Sequence, residues 1–80
     1  MRADRIMRAL VRHRFVITMV DEQAWDGVVM EADDRSIVIR DVTALVRDGD
    51  TVKRVPADGE VVLPRARVAY MQRPSERMPD

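Results

Sequence analysis

From Phe15 onward, short runs rich in β-branched residues alternate with polar, glycine- or proline-bearing stops. This pattern limits the fold more than any other feature of the chain, because each run suits a strand and each stop suits a turn. Phe15-Val16-Ile17-Thr18-Met19-Val20 is the first run, with Asp21-Glu22-Gln23 as a tight polar turn after it. The second run reaches Ala32 and is interrupted by Gly27, a sign of a sharp bend or a close backbone approach. Asp33-Asp34-Arg35 turns the chain into Ser36-Ile37-Val38-Ile39-Arg40, which continues toward Val46. Asp48-Gly49-Asp50 and Pro56 mark Arg47 to Asp58 as a loop, although Thr51 to Val55 alternates as an extended segment would. Two further runs follow on either side of Pro64. The expected strands are therefore about 15–20, 24–32, 36–46, 59–63 and 67–72, with 73–80 as a flexible tail.

The first residues follow a different period. Asp4 is a capping residue, and Ile6 and Leu10, with Met7 and Val11, give the spacing of an apolar helical stripe. Arg5, Arg8 and Arg12 fall at i, i+3 and i+7 and form a basic face on the same helix, predicted over about 4–13. One short helix and five strands with tight turns indicate a mostly β protein. The expected form is a single domain over 1–72, a strongly bent five-stranded antiparallel barrel of SH3 type.

A domain of 80 residues buries too little surface to be stable with much margin. The chain has no cysteine, which removes disulfides and thiolate metal sites together, and its one histidine, His13, cannot build a metal site alone. No cofactor is expected, and self-association is the remaining route to stability. No apolar run approaches the roughly 20 residues that span a bilayer. The amino-terminal residues lack the apolar core of a secretory signal. A cytoplasmic protein with no membrane partner is the expectation.

Fourteen basic and fourteen acidic residues cancel, but unevenly. Residues 1–15 carry five arginines against Asp4, and residues 16–52 carry nine acids against three arginines. Residues 53–80 carry six bases against four acids. A neutral total argues against a protein that coats DNA, while the asymmetry allows a local anion-binding face.

The order of these runs resembles the Sm-like family. Phe15 to Val42 is similar to its first motif, with Gly27 at the family's glycine, Asp33 at its aspartate, Ile37-Val38-Ile39 as the following strand and Asp41-Val42 at its end. Val61 to Gln72 is similar to the second motif, with Val68 at its anchor. Val62-Leu63-Pro64 and Val68-Ala69-Tyr70-Met71-Gln72 look most like divergent bacterial and phage members. The resemblance spans almost the whole chain and implies a closed homo-oligomeric ring of five to seven subunits. In such a ring the fourth strand of one subunit pairs with the fifth of the next. Val61, Val62, Leu63, Val68, Tyr70 and Met71 would then line the seam, or else fill the core of one chain.

The resemblance also implies single-stranded RNA as a partner, held by a base-stacking side chain, a base-edge contact and an arginine. The chain departs from the family at each place. Asp34 and Arg35 stand where a stacking side chain is expected, Ser36 where an asparagine is, and Pro64-Arg65 where Arg-Gly is. The candidate RNA-binding residues are Asp33, Arg35, Ser36, Arg65 and Arg67. Arg35 can stack through its planar guanidinium, and Arg65 or Arg67 can meet phosphates. A second route is the basic face of Arg5, Arg8 and Arg12, multiplied around a ring. The opposing expectation is that these arginines pair with Asp21, Glu22 or Asp26.

Trp25 and Tyr70 can stack bases, but with Phe15 they are the only aromatic residues, and packing is the plainer reading. No nucleophile–base set, phosphate loop or metal cluster is present in the sequence, so no catalytic residue is assigned and an enzyme is not expected. Two other readings remain. One is a ring that serves as a protein-interaction or assembly module without RNA binding. The other is a monomeric peptide-binding barrel, for which the chain is short of aromatic residues.

Overall fold

The computed structural model describes residues 9–74. Five strands follow one another: β1 Arg14–Met19, β2 Ala24–Ala32, β3 Ser36–Asp48, β4 Thr51–Pro64 and β5 Val68–Gln72, with a 3-10 turn at Arg65–Arg67 between the last two. All neighbours pair antiparallel, in the spatial order β4-β3-β2-β1-β5.

Strict alternation builds the core. In β1, Phe15, Ile17 and Met19 are buried while Arg14, Val16 and Thr18 face outward, the period of two that a half-buried strand requires. Val29, Ile37, Ile39, Val42 and Leu63 complete the core from the other strands. Val68, at the expected anchor position, and Met71 pack partly against it from β5.

Gly27 is where the sheet bends. A Cβ there would lie 3.2 Å from both Cβ and Cδ1 of Ile39 and 3.3 Å from the Arg40 carbonyl oxygen. Only hydrogen fits that gap without displacing β3. Around it the ladders slip: Asp41 and Val42 of β3 face Gly27 of β2, and Asp58 and Gly59 of β4 face the single Asp41. Asp41 and Gly59 both take positive φ, 56° and 74°. Extra residues of this kind kink a strand and increase its twist.

Three expectations are corrected. A helix over 4–13 is not an element of the described structure. Among the described residues of that stretch, Ala9 is helical, Leu10 to Arg12 form a turn, and Arg12 has φ 74°. The reason lies in the backbone bonds: Arg12 N–H donates to Val29 O at 2.6 Å and Val29 N–H to His13 O at 2.9 Å, so the sheet takes groups that a helix would use. Residues 4–8 of that expected helix lie outside the described residues, as do 75–80 of the expected tail.

The barrel is also not closed. β4 and β5 are consecutive in the chain yet occupy opposite edges of the sheet, with no ladder between them. β5 spends one edge on β1, and the Arg65–Arg67 turn carries the chain from one margin to the other.

The third correction concerns β4, which begins at Thr51 rather than near 59, while β3 extends to Asp48. The alternation of Thr51 to Val55 finds its partner in β3, from Thr51 opposite Asp48 to Pro56 opposite Thr43. Pro56 stands within the strand, opposite Thr43, at an edge, which is where a sheet tolerates a residue without an N–H. The turn between them is Gly49-Asp50, with Gly49 at φ 64°. β2 pairs with β3 only up to Ala24 opposite Leu45, so the hairpin beyond Leu45 has no β2 strand beside it.

Candidate functional site

The turn between β2 and β3 is held by its own aspartate. Asp33 Oδ1 accepts the backbone N–H of Arg35 at 2.8 Å and of Ser36 at 2.9 Å. These two donors hold the Asp33 carboxyl below its ordinary pKa, with a smaller contribution from the Arg35 and Arg65 charges. The same turn is tied to the end of β4: Arg65 N–H donates to Arg35 O at 2.8 Å, and Arg65 Nη1 to Asp33 O at 2.6 Å. Four of the five residues expected to meet RNA, Asp33, Arg35, Ser36 and Arg65, are therefore gathered at one place. Arg35 is exposed and makes no ion pair among the described residues.

Arg67 is not part of that cluster. Its carbonyl accepts the N–H of Val20 at 2.8 Å, and it lines a hollow beside Trp25, at the turn between β1 and β2. Of the basic face, Arg12 is exposed, and Arg5 and Arg8 lie outside the described residues.

The six candidate seam residues divide. Leu63 is buried in the core, and Val61, Val68 and Met71 pack partly against it. Val62 on β4 and Tyr70 on β5 are 61% and 54% exposed, one on each open edge.

Sequence reasoning missed a charged array across four strands. Asp26 of β2, only 7% exposed, accepts Arg14 Nη1 of β1 at 2.8 Å through Oδ1 and Arg54 Nη2 of β4 at 2.7 Å through Oδ2. Arg14 also pairs with Asp41 of β3. Burial alone would raise the Asp26 pKa, but the hydrogen bonds from Arg14 and Arg54 outweigh it and hold the carboxyl below its ordinary value. Asp26 does pair with arginines, then, but with Arg14 and Arg54. The available signal was an aspartate beside the strand glycine, where an outward position would otherwise be wet.

No helix among the described residues is long and apolar enough to cross a membrane. Among the same residues no group of three or more histidine, cysteine, aspartate or glutamate side chains is placed to hold a metal ion.

Fold and edges together define a small, all-antiparallel, five-stranded β-sheet protein with two open margins. Among solved structures it is similar to a chain in the crystal structure of the NatC complex bound to CoA. The TM-score is 0.62 at 15% identity, over 84% of this chain and 82% of that one. At that identity the likeness establishes the fold alone. No family model matches the sequence, and no curated protein matches it either.

Proposed function

We propose that this chain is an Sm-like subunit that assembles into a homo-oligomeric ring and binds single-stranded RNA, with no catalytic activity of its own. The observation that carries the reading is the pair of open edges. β4 and β5 lie at opposite margins, each with backbone groups that no ladder uses, and exposed apolar side chains stand on both: Val52, Val55 and Val62 on β4 and Tyr70 on β5. An edge of that kind is a template for another strand, and pairing β4 of one copy with β5 of the next leaves an edge at each end until a ring closes.

The RNA part rests on the cluster at the turn between β2 and β3. Arg35 offers a planar cation with no ion pair among the described residues, Ser36 a hydroxyl for a base edge and Arg65, held against this turn from the end of β4, a second cation. Subunits repeated around a ring would present this cluster many times over, which raises avidity with no change in any one site.

A second reading has its own support. Arg65 already donates to the Asp33 carbonyl, and the carboxylates of Asp33 and Asp34 repel a phosphate backbone. On that reading the ring is an assembly module that has lost RNA binding. The similar solved chain comes from the crystal structure of a complex, NatC.

The test is the particle mass by light scattering, with a labelled U-rich or A-rich oligonucleotide then added at low salt. A mass of five to seven subunits with binding that weakens in Arg35→Glu and Arg65→Glu supports the RNA ring. The same mass without binding leaves the assembly module. A stable 9.2 kDa monomer would remove both.

A further inference from the structure

The hollow beside Trp25 has a chemistry that the turn cluster does not share. It is an open depression of about 230 Å³ between the β1–β2 turn and the Arg65–Arg67 turn. Trp25 stands opposite Ile17 in the ladder, so its indole lies on the inner face of the sheet, at the margin of the core. Met19 and Leu63, both buried, and the exposed ring of Pro64 supply the other apolar walls. Three polar side chains ring the opening: Asp21, Gln23 and Arg67, all exposed. Arg67 makes no ion pair or side-chain hydrogen bond among the described residues, and Asp21 uses Oδ1 on the Gln23 N–H at 3.1 Å, leaving its other oxygen without a partner there.

We propose that this hollow binds one nucleotide unit, its base against Trp25, its edge read by Asp21 and Gln23, and its phosphate met by Arg67. The volume falls below the roughly 300–1,000 Å³ of sites for drug-sized ligands, which suits a single flat ring. An indole face is sequence-tolerant toward bases, so stacking sets that a base is held rather than which one. The rim sets the choice. A carboxylate only accepts hydrogen bonds, so Asp21 is best met by a projecting exocyclic amino group, and the Gln23 amide both donates and accepts, as adenine's edge does. Uracil's edge donor, N3–H, is recessed between two carbonyl oxygens that a carboxylate repels, so it meets Asp21 less well. The site therefore prefers adenine, cytosine or guanine to uracil. A guanidinium without a protein partner is the natural contact for the phosphate.

This inference deepens the single-stranded RNA reading by adding a second base site, and its biological setting rests on that reading. The hollow itself is formed within one chain, so the two can fail separately. The chain's single tryptophan makes the test direct. The full-length protein is titrated with adenosine 5′-monophosphate and uridine 5′-monophosphate at low salt, with indole emission excited at the red edge where nucleotides are transparent. The expected result is saturable quenching, about tenfold tighter for the adenine nucleotide. It should weaken by roughly tenfold in Gln23→Ala and at least as much in Arg67→Glu. Urea midpoints within error of the parent would show that both variants are folded.

No saturable quenching by either nucleotide would overturn the proposal. So would equal affinity for the two nucleotides, or undiminished quenching in both variants. Equal or tighter quenching by a phenylalanine amide would assign the hollow to apolar peptide side chains instead and overturn it too. Anisotropy of the labelled oligonucleotide tests the RNA reading separately. Quenching by the mononucleotide without RNA binding would keep the site and remove that reading.

Discussion

Asp26 carries the largest single-residue consequence. A buried carboxylate between two arginines is costly to break, because removing one partner strands the others' charges. Asp26→Ala is expected to destabilise the fold by about 3 kcal/mol in urea unfolding at neutral pH. Its pKa is lower in the folded state than unfolded, so its stabilising contribution is present above the unfolded value of about 4 and is lost as pH falls through the folded value. Asp26→Asn should therefore flatten the acid limb of a stability-against-pH curve, and an unchanged limb would show that Asp26 does not set it. Gly27 acts by space rather than charge. Gly27→Ala pushes a methyl to 3.2 Å from Ile39 and should cost about 1–3 kcal/mol, measured as a shift in urea midpoint. Arg73 shows a milder version of residue-scale packing, its guanidinium lying 5.6 Å from the centre of the Phe15 ring.

At the scale of elements, the two edge strands differ in kind. β5 has five residues and β4 fourteen, so a neighbour's β5 can cover only part of β4. β4 is guarded in the manner of edge strands generally, by Lys53, Arg54 and Pro56 in its first half and by Pro64 at its end, which leaves Val62 in the short stretch between Glu60 and Pro64. If the proposed ring forms through these edges, Val62→Lys together with Tyr70→Glu should convert it to monomers that keep their far-ultraviolet dichroism. Light scattering that still returned the parent mass would place the subunit interface elsewhere. Much of this level was legible beforehand. The runs of Phe15 to Val20 and Ser36 to Arg40 read correctly as strands because their alternation is local. β4 was not legible, because Pro56 and Gly59 signal loops in isolation and become tolerable only along an edge beside β3. The helix over 4–13 failed at its far end for the converse reason: its residues have helical spacing, but the carbonyl of Val29 offers Arg12 a sheet bond instead.

At the scale of the whole molecule, the proposed RNA binding by a neutral chain, through a pair of cations brought together from two turns, should have a salt dependence set by the few phosphates each subunit neutralises. Arg35→Glu and Arg65→Glu are each expected to reduce the slope of log affinity against log salt by about one, because each removes a cation that displaces a counterion. A slope unaffected by either change would move the anion-binding face away from those turns.

The sequence alone determined the β class, the turn at Asp33, the close approach at Gly27 and a core made of alternating apolar residues, because each depends on neighbours in the chain. Only the tertiary structure decided the open sheet, the long β3–β4 hairpin, the Arg14–Asp26–Arg54 array and the separation of Arg67 from Arg65. These join residues from different strands, and their geometry follows from ladder register and bulges that no local pattern encodes. Two arginines with only Ala66 between them thus end on different sites, one tied to the Asp33 turn and the other beside Trp25, because they stand at opposite ends of a three-residue turn.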